Sequence, residues 1–325
     1  MRIGIVGCAD IALKRFLPAA ATVEGVESVA VAEEYAPERL KAFQESFGLE
    51  EMTDYRALIR REDLDAVYVP QPPALHCRWA REALLAGKHV LVEKPSGVTA
   101  AETRELVGLA REKGLALHEN YMFQYHSQIR RIREILDSGE IGEARLYRAA
   151  FGFPMRAKND FRYAAALGGG ALLDAGGYTV KLASLLLGET VRVDAARLSG
   201  LSEFEVDMYG SAQLSNADGA VCQVSFGMDC AYQCKLEIWG SKGMLTADRI
   251  FTAPADFTPM LEVIVGGEKK SIQLEADNHF ARSIEMFLAE TRDDGLREKM
   301  YAEMIRQAEL VEEIRRLAAA GEGRT

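Results

Sequence analysis

The sequence predicts an α/β plus α+β protein: an N-terminal doubly wound parallel sheet, then a C-terminal α+β domain on a mostly antiparallel open sheet. Three observations carry this. Short β-branched runs alternate strictly with helical periods until Tyr121. A small-residue turn, Gly7-Cys8-Ala9-Asp10-Ile11-Ala12, directly follows the first run. After Tyr121 the alternation gives way to successive strands closed by two helices. The expected domains are 1–121 and 122–325.

The elements follow in order. Arg2–Val6 is a strand and Ile11–Ala21 has helical spacing; Ser28–Ala32 is the second strand. Pro37–Phe47 is a helix opened by a proline, which suits a first turn. Ala66–Val69 is the third strand, Ala74–Leu85 a helix and Lys88–Glu93 the fourth strand. Thr99–Lys113 is a helix stopped by Gly114, and Leu115–Glu119 is the fifth strand. Such β–α alternation implies right-handed crossovers and a parallel sheet. Beyond it, Tyr125–Ser138 is helical, Gly142–Gly152 is a long strand, and 153–168 is a loop rich in Arg, Lys and Asn. A small-residue helix covers 170–187, strands with turn signals fill 190–275, and helices span 279–291 and 295–319.

At 325 residues the chain has room for roughly two domains. Its 39 basic and 49 acidic side chains give a net charge of −10, which argues against nucleic acid or an anionic membrane as partner. The five cysteines (Cys8, Cys77, Cys222, Cys230, Cys234) are scattered, as expected of a reduced, cytoplasmic protein. Cys230 and Cys234 would share a strand face, but no third ligand stands nearby, so no metal is expected. The chain opens directly on a strand rather than a signal peptide. No apolar run reaches the ~20 residues that span a bilayer.

The turn at Gly7 has the place of a dinucleotide fingerprint, at the first strand–helix junction, with Gly7, Ala9 and Ala12 in the three glycine positions. That makes the first domain a Rossmann domain, with Gly7, Ala9, Asp10 and Ile11 against the pyrophosphate. The second strand ends in Glu33-Glu34. An acid there accepts hydrogen bonds from ribose hydroxyls and repels a 2′-phosphate, so NAD is expected over NADP. The third strand ends Val69-Pro70-Gln71-Pro72-Pro73, a stiff turn placing Pro70 and Pro72 along the nicotinamide half. His76 either reaches the cofactor or only caps the following helix.

Two further constellations suggest catalysis. His89-Val90-Leu91-Val92-Glu93-Lys94-Pro95 puts an acid and a lysine at a strand's carboxyl end, where ligands of open α/β sheets bind. In Gly168-Gly169-Gly170-Ala171-Leu172-Leu173-Asp174-Ala175-Gly176-Gly177-Tyr178, Asp174 and Tyr178 share one helix face. By itself this also suits a core tyrosine hydrogen-bonded to Asp174.

With these motifs and Glu119-Asn120-Tyr121-Met122-Phe123, the sequence resembles the glucose–fructose oxidoreductase/inositol dehydrogenase/rhizopine-catabolism (Gfo/Idh/MocA) family over essentially its whole length. It most resembles the sugar 3-ketoreductase branch, with dihydrodiol and xylose dehydrogenases as near relatives. The resemblance implies that Lys94 is the active-site lysine, often followed by a cis bond to Pro95, and that Tyr178 is the acid/base residue. It also implies that Glu93 and Asn120 lie near the nicotinamide. The chain departs from the NADP-using branch, which usually shows Ser-Arg where Glu33-Glu34 stand, and Ala9 replaces a frequent glycine.

The chemistry expected is hydride transfer between NAD(H) and a hydroxyl or keto carbon of a sugar or cyclitol, nucleotide-linked or free. A tyrosine, with an ordinary pKa of ~10, keeps its proton to give to a developing alkoxide. A nearby Lys94 ammonium would stabilise the tyrosinate. Arg156, Lys158, Asn159 and Arg162 stand where a phosphate or sugar hydroxyls could be read, and Asn278 and His279 open a late helix that could face the same ligand. Other readings are an NAD-dependent glycoside hydrolase and a non-catalytic NAD-binding regulator. Alternating apolar residues around 219–226 and 234–240 suggest a homodimer or homotetramer.

Overall fold

A computed structural model describes residues 1–322. They form two compact units, Met1–Tyr121 with Phe280–Ala308, and Met122–His279 with the chain from Glu309 onward.

The first unit holds β1 (Arg2–Val6), β2 (Glu27–Ala32), β3 (Glu50–Met52), β4 (Ala66–Val69), β5 (His89–Val92) and β6 (Leu117–Glu119), in the order β3-β2-β1-β4-β5-β6. All five pairings are parallel. The strand order reverses between β1 and β4, the crevice where doubly wound sheets bind ligands. β4 is buried throughout because helices cover both faces of a parallel sheet. These helices are α1 (Leu17–Ala20), α2 (Leu40–Phe47), α3 (Tyr55–Ile59), α4 (Pro73–Leu85) and α5 (Ala100–Lys113). Asp54 caps α3 by accepting from Ala57 N, and Thr99 caps α5 by accepting from Glu102 N. Val67, Val69, Trp79, Val90, Val92, Leu106 and Leu117 make the core.

Three features differ from the sequence reading. The short pair β3 and α3 occupies 50–59, a stretch to which the sequence assigns no element between the helix 37–47 and the strand 66–69. The helix expected over 11–21 starts with a π-helical stretch, Ala12–Phe16, before α1. Phe280–Ala308 belongs with the first unit, although 122–325 was expected to be one domain. Tyr301 and Met304 complete the first unit's core, the Tyr301 hydroxyl donates to Leu115 O, and Arg111 Nη2 lies 2.9 Å from Glu298 Oε2.

The second unit contains α6 (Ser127–Asp137), β7 (Ala144–Gly152), α7 (Gly177–Leu187), and strands β8 (Arg192–Gly200), β9 (Asp207–Ser215), β10 (Val221–Gly227), β11 (Gln233–Gly240), β12 (Gly243–Asp248), β13 (Met260–Val265) and β14 (Glu268–Gln273). The sheet order is β14-β13-β12-β11-β7-β10-β9-β8, antiparallel except for the parallel pair β7–β10. α7 lies against β7 and β10. Tyr147, Ala149, Phe151, Val224, Phe226, Leu236 and Ile238 are buried along one face. Alternation puts a row on the other face, Val221–Leu146–Trp239–Met244–Ile264, paired strand to strand across β10, β7, β11, β12 and β13. Helices α8 (His279–Glu290) and α9 (Asp294–Glu322) end the chain. Among the described residues no helix is long and apolar enough to cross a membrane, and no cluster of three or more His, Cys, Asp or Glu suits a metal ion.

Candidate active site

In the first unit the glycine turn is built around Gly7, whose φ of 111° favours glycine. A Cβ there would lie 2.1 Å from Gln71 Nε2, which donates to Val6 O at 2.8 Å. The helix beginning at Asp10–Ile11 leaves first-turn N–H groups without intrahelical acceptors, as a pyrophosphate requires. Ala12 is buried, whereas Ala9 and Ile11 are only half-buried. Asp10 is exposed and its carboxylate accepts from Lys14 Nζ at 2.7 Å and Arg39 Nη2 at 2.6 Å.

Glu33 is buried rather than part of a solvated turn. Its carboxylate accepts from Cys8 N at 2.8 Å, Tyr35 N at 2.9 Å, Ala36 N at 3.2 Å and the Tyr55 hydroxyl at 3.0 Å. Burial alone would raise its pKa, but these donors more than reverse that and hold Glu33 below the usual range. Glu33 thus ties the end of β2 to the glycine turn as an anion, while Glu34 beside it is exposed.

Pro70 is buried and Pro72 half-buried in the turn after β4. His76 is buried beneath that turn, Nδ1 2.7 Å from Pro95 O and Nε2 2.5 Å from Gln71 O. Burial pushes its pKa down to about 4, against the pull of the two carbonyls. The ring thereby braces the turn after β4 against the one after β5, where the Lys94–Pro95 bond is cis. Glu93 is half-buried, and its Oε1 accepts from the Tyr68 hydroxyl at 2.7 Å and Asn120 Nδ2 at 2.6 Å. Burial drives its pKa up, and Asn120, Tyr68 and Lys94 oppose the rise.

In the second unit the Gly168–Gly170 run permits close approach of other chain segments. A Cβ on Gly169 would lie 2.4 Å from Arg162 O, and one on Gly170, at φ 120°, 2.5 Å from Asp207 Oδ1. Asp207 accepts from Leu172 N at 2.7 Å, which anchors the π-helical stretch Leu172–Gly176 leading into α7. Such π-bulges recur at functional sites. Asp174 lies in this stretch and Tyr178 one turn on. Asp174 Oδ2 accepts from Arg162 Nε at 2.7 Å, and Arg162 Nη1 donates to Asp160 Oδ1 at 3.1 Å. Burial opposes the Arg162 charge, but the two carboxylates raise its pKa on balance.

The Tyr178 ring is buried among Phe151, Phe123 and Phe251, with centroids 5.2, 5.8 and 6.0 Å away. Its hydroxyl meets Met122 Sδ at 3.8 Å, a weak acceptor. Arg156 is exposed with its guanidinium over the Phe153 ring, Lys158 pairs with Glu203 at 2.7 Å, and Asn159 is exposed. His279 is buried, edge-on to His126 at 5.9 Å. Tyr68, Phe151, Phe251 and Asp207 escaped the sequence reading because, in strands and a loop, they look like ordinary core or turn residues. Within the first unit the structure gathers Glu93, Asn120, Lys94 and His76 at the ends of β4–β6; within the second it joins Arg162 to Asp174, one turn from Tyr178.

Residues 1–121 match the oxidoreductase family with an NAD-binding Rossmann fold, and 129–246 match the GFO/IDH/MocA C-terminal domain. The chain belongs to the Gfo/Idh/MocA oxidoreductase family. A dTDP-3,4-didehydro-2,6-dideoxy-alpha-D-glucose 3-reductase of Streptomyces violaceoruber is 43% identical over 327 residues, covering 98% of this chain and 95% of that one. The Saccharopolyspora spinosa enzyme of the same name is 40% identical over 320 residues, covering 97% and 96%. A crystal structure of a 3-ketoreductase from Actinomadura kijaniata with NADP and TDP-benzene matches with a TM-score of 0.94 at 40% identity, covering 98% and 97%. The first unit is therefore the NAD(P)-binding domain of an oxidoreductase, as expected. The residues present fit a dinucleotide: Gly7, at φ 111°, makes the tight turn, and the helix that starts at Asp10–Ile11 directs its first N–H groups away from the helix body, as a pyrophosphate requires.

Proposed function

We propose that this member of the Gfo/Idh/MocA family reduces the keto group of a nucleotide-linked deoxysugar with NADH. The near full-length likeness to enzymes named as dTDP-sugar 3-reductases carries the reading. The nicotinamide supplies the hydride. Tyr178 gives its phenolic proton to the sugar oxygen as negative charge develops there, and Lys94 provides the cation favouring that proton's departure. Arg162, held by Asp160 and Asp174, and Arg156 read phosphate or sugar hydroxyls. Asp174 then aims Arg162 rather than moving a proton. His279, buried against His126, supports the start of α8. The test is NADH oxidation with a TDP-linked 3-keto-deoxysugar, free sugars and cyclitols. Turnover confined to the nucleotide-linked ketone supports the proposal; turnover confined to free sugars or cyclitols refutes it.

The cofactor proposed is NAD, although the related structure holds NADP. The support is Glu33, an anion held at the end of β2, with exposed Glu34 beside it. A 2′-phosphate near such a carboxylate costs roughly tenfold or more in affinity. NADH should thus bind at least that much more tightly than NADPH in a fluorescence titration, and Glu34→Arg should narrow the gap. Equal or tighter NADPH binding in the unmodified protein would put this chain with the NADP users.

A second copy is the partner proposed for the open sheet face, where Trp239 is 38% and Met260 44% exposed. Trp239→Glu should turn a wild-type dimer or tetramer into monomer by light scattering. A monomeric wild type would remove the proposal.

A further inference from the structure

A continuous chain of polar side chains crosses the carboxyl ends of β4, β5 and β6 and enters α8, all within the first unit. From Glu93, Asn120 is the next link. Its Oδ1 accepts from Ser283 Oγ at 2.8 Å. Ser283 Oγ in turn lies 2.8 Å from His118 Nε2, and His118 Nδ1 lies 2.7 Å from Glu290 Oε1. Asn120, Ser283, His118 and Glu290 are buried. His118 and Asn120, two residues apart at the end of β6, point to the same side and meet α8 there.

Proton accounting orients this chain. Ser283 has one hydroxyl proton and gives it to Asn120 Oδ1, so its oxygen must accept from His118 Nε2–H. Between His118 Nδ1 and Glu290 Oε1 there is then a single proton, and the pair is neutral overall whichever atom carries it. A neutral pair suits complete burial, where an unpaired charge is costly. With its oxygen held by Ser283, the Asn120 amide must present its NH2 group to Glu93. The charged and titratable groups around the chain are Lys94 and Tyr68 at Glu93, and Arg297 and Tyr301 at Glu290, where Arg297 Nη1 donates to Glu290 O at 2.9 Å.

We propose that Ser283 and the His118–Glu290 pair are positioning residues: by fixing the Asn120 amide they hold the Glu93 carboxyl in place beside Lys94 and favour its ionised form. This rests on the proposed function, in which Lys94 serves the reaction. Without the Ser283 hydroxyl, the amide is released and Glu93 loses a donor favouring its charged form. Its pKa, already raised by burial, then rises further because the Asn120 donor that lowers it is lost.

The test compares Ser283→Ala with Ser283→Thr, which keeps the hydroxyl. Below both Glu93 pKa values the carboxyl is protonated in wild type and variant alike. Above them only the alanine variant carries the added cost of ionising it. The melting-temperature gap between wild type and Ser283→Ala should therefore widen as pH rises from about 4 to about 8. That between wild type and Ser283→Thr should stay constant. The acid limb of the kcat profile should move to higher pH in Ser283→Ala alone. Ser283→Cys, similar in size and only a weak donor, serves if the alanine variant does not fold. A gap that stays constant for Ser283→Ala, or widens equally for Ser283→Thr, overturns the proposal. Melting needs no substrate, so a widening gap without turnover counts against the proposed function alone, and a constant gap with normal turnover against this inference alone.

Discussion

Tyr178→Phe is expected to lower turnover of the keto-sugar by roughly 10²–10⁴-fold, the usual contribution of a positioned acid. The fold should hardly register the change. The ring packs among Phe151, Phe123 and Phe251, and its hydroxyl meets Met122 Sδ, a weak acceptor. Phenylalanine keeps the ring and its packing against these three aromatic side chains. Affinity for NADH should also persist, because Gly7 and Glu33 belong to the other unit. Steady-state kinetics, NADH titration and melting together check this. Turnover within about threefold of wild type, below what a general acid supplies, would take the proton away from Tyr178.

Lys94→Ala should cost about 10²–10³-fold in kcat, the scale seen when a group facing developing negative charge is removed. A second effect reaches Glu93. Its carboxyl is already raised by burial, and Lys94 is among the groups that lower it. With that cation gone, Glu93 protonates at higher pH, so the acid limb of the rate profile should move upward. Lys94→Arg should not restore the rate, since a planar guanidinium does not place its charge as an ammonium does. Wild-type kcat in Lys94→Ala would contradict the role.

The features most readable in the sequence were those with strong local periodicity. Uninterrupted apolar strands such as Val90–Val92, each followed by a helix, implied the parallel sheet, and the observed order adds only an edge strand. That strand, Glu50-Glu51-Met52, is short, acidic and largely exposed, so hydrophobic patterning could not reveal it. Both π-helical stretches were hidden as well, because one extra residue in a turn barely alters apolar spacing. The return of Phe280–Ala308 to the first unit rests on long-range contacts such as Tyr301 to Leu115, which no local pattern encodes.

The candidate site was legible where a motif carried it and opaque where a partner came from afar. Glu93, Lys94 and Asn120 stood out at strand ends, but Ser283 and Glu290 lie on an ordinary amphipathic helix some 160 to 200 residues later in the chain. Glu33 was found as an acid at the right strand end, yet its hold on Cys8, Tyr35, Ala36 and Tyr55 needed the fold. The helix face shared by Asp174 and Tyr178 followed from spacing, whereas the pairing of Asp174 with Arg162 depends on how the loop before the glycine run folds back.

The most direct test of the account follows the hydride itself. NADH carrying deuterium at nicotinamide C4, on the face the enzyme uses, is turned over with the TDP-linked keto-sugar, and the product is examined by mass spectrometry and NMR. One deuterium on the former keto carbon, with one NAD formed per sugar reduced, is the predicted result. Cleavage of the sugar without net NADH consumption, as a glycoside hydrolase would give, or binding of NADH with no chemistry, would contradict it.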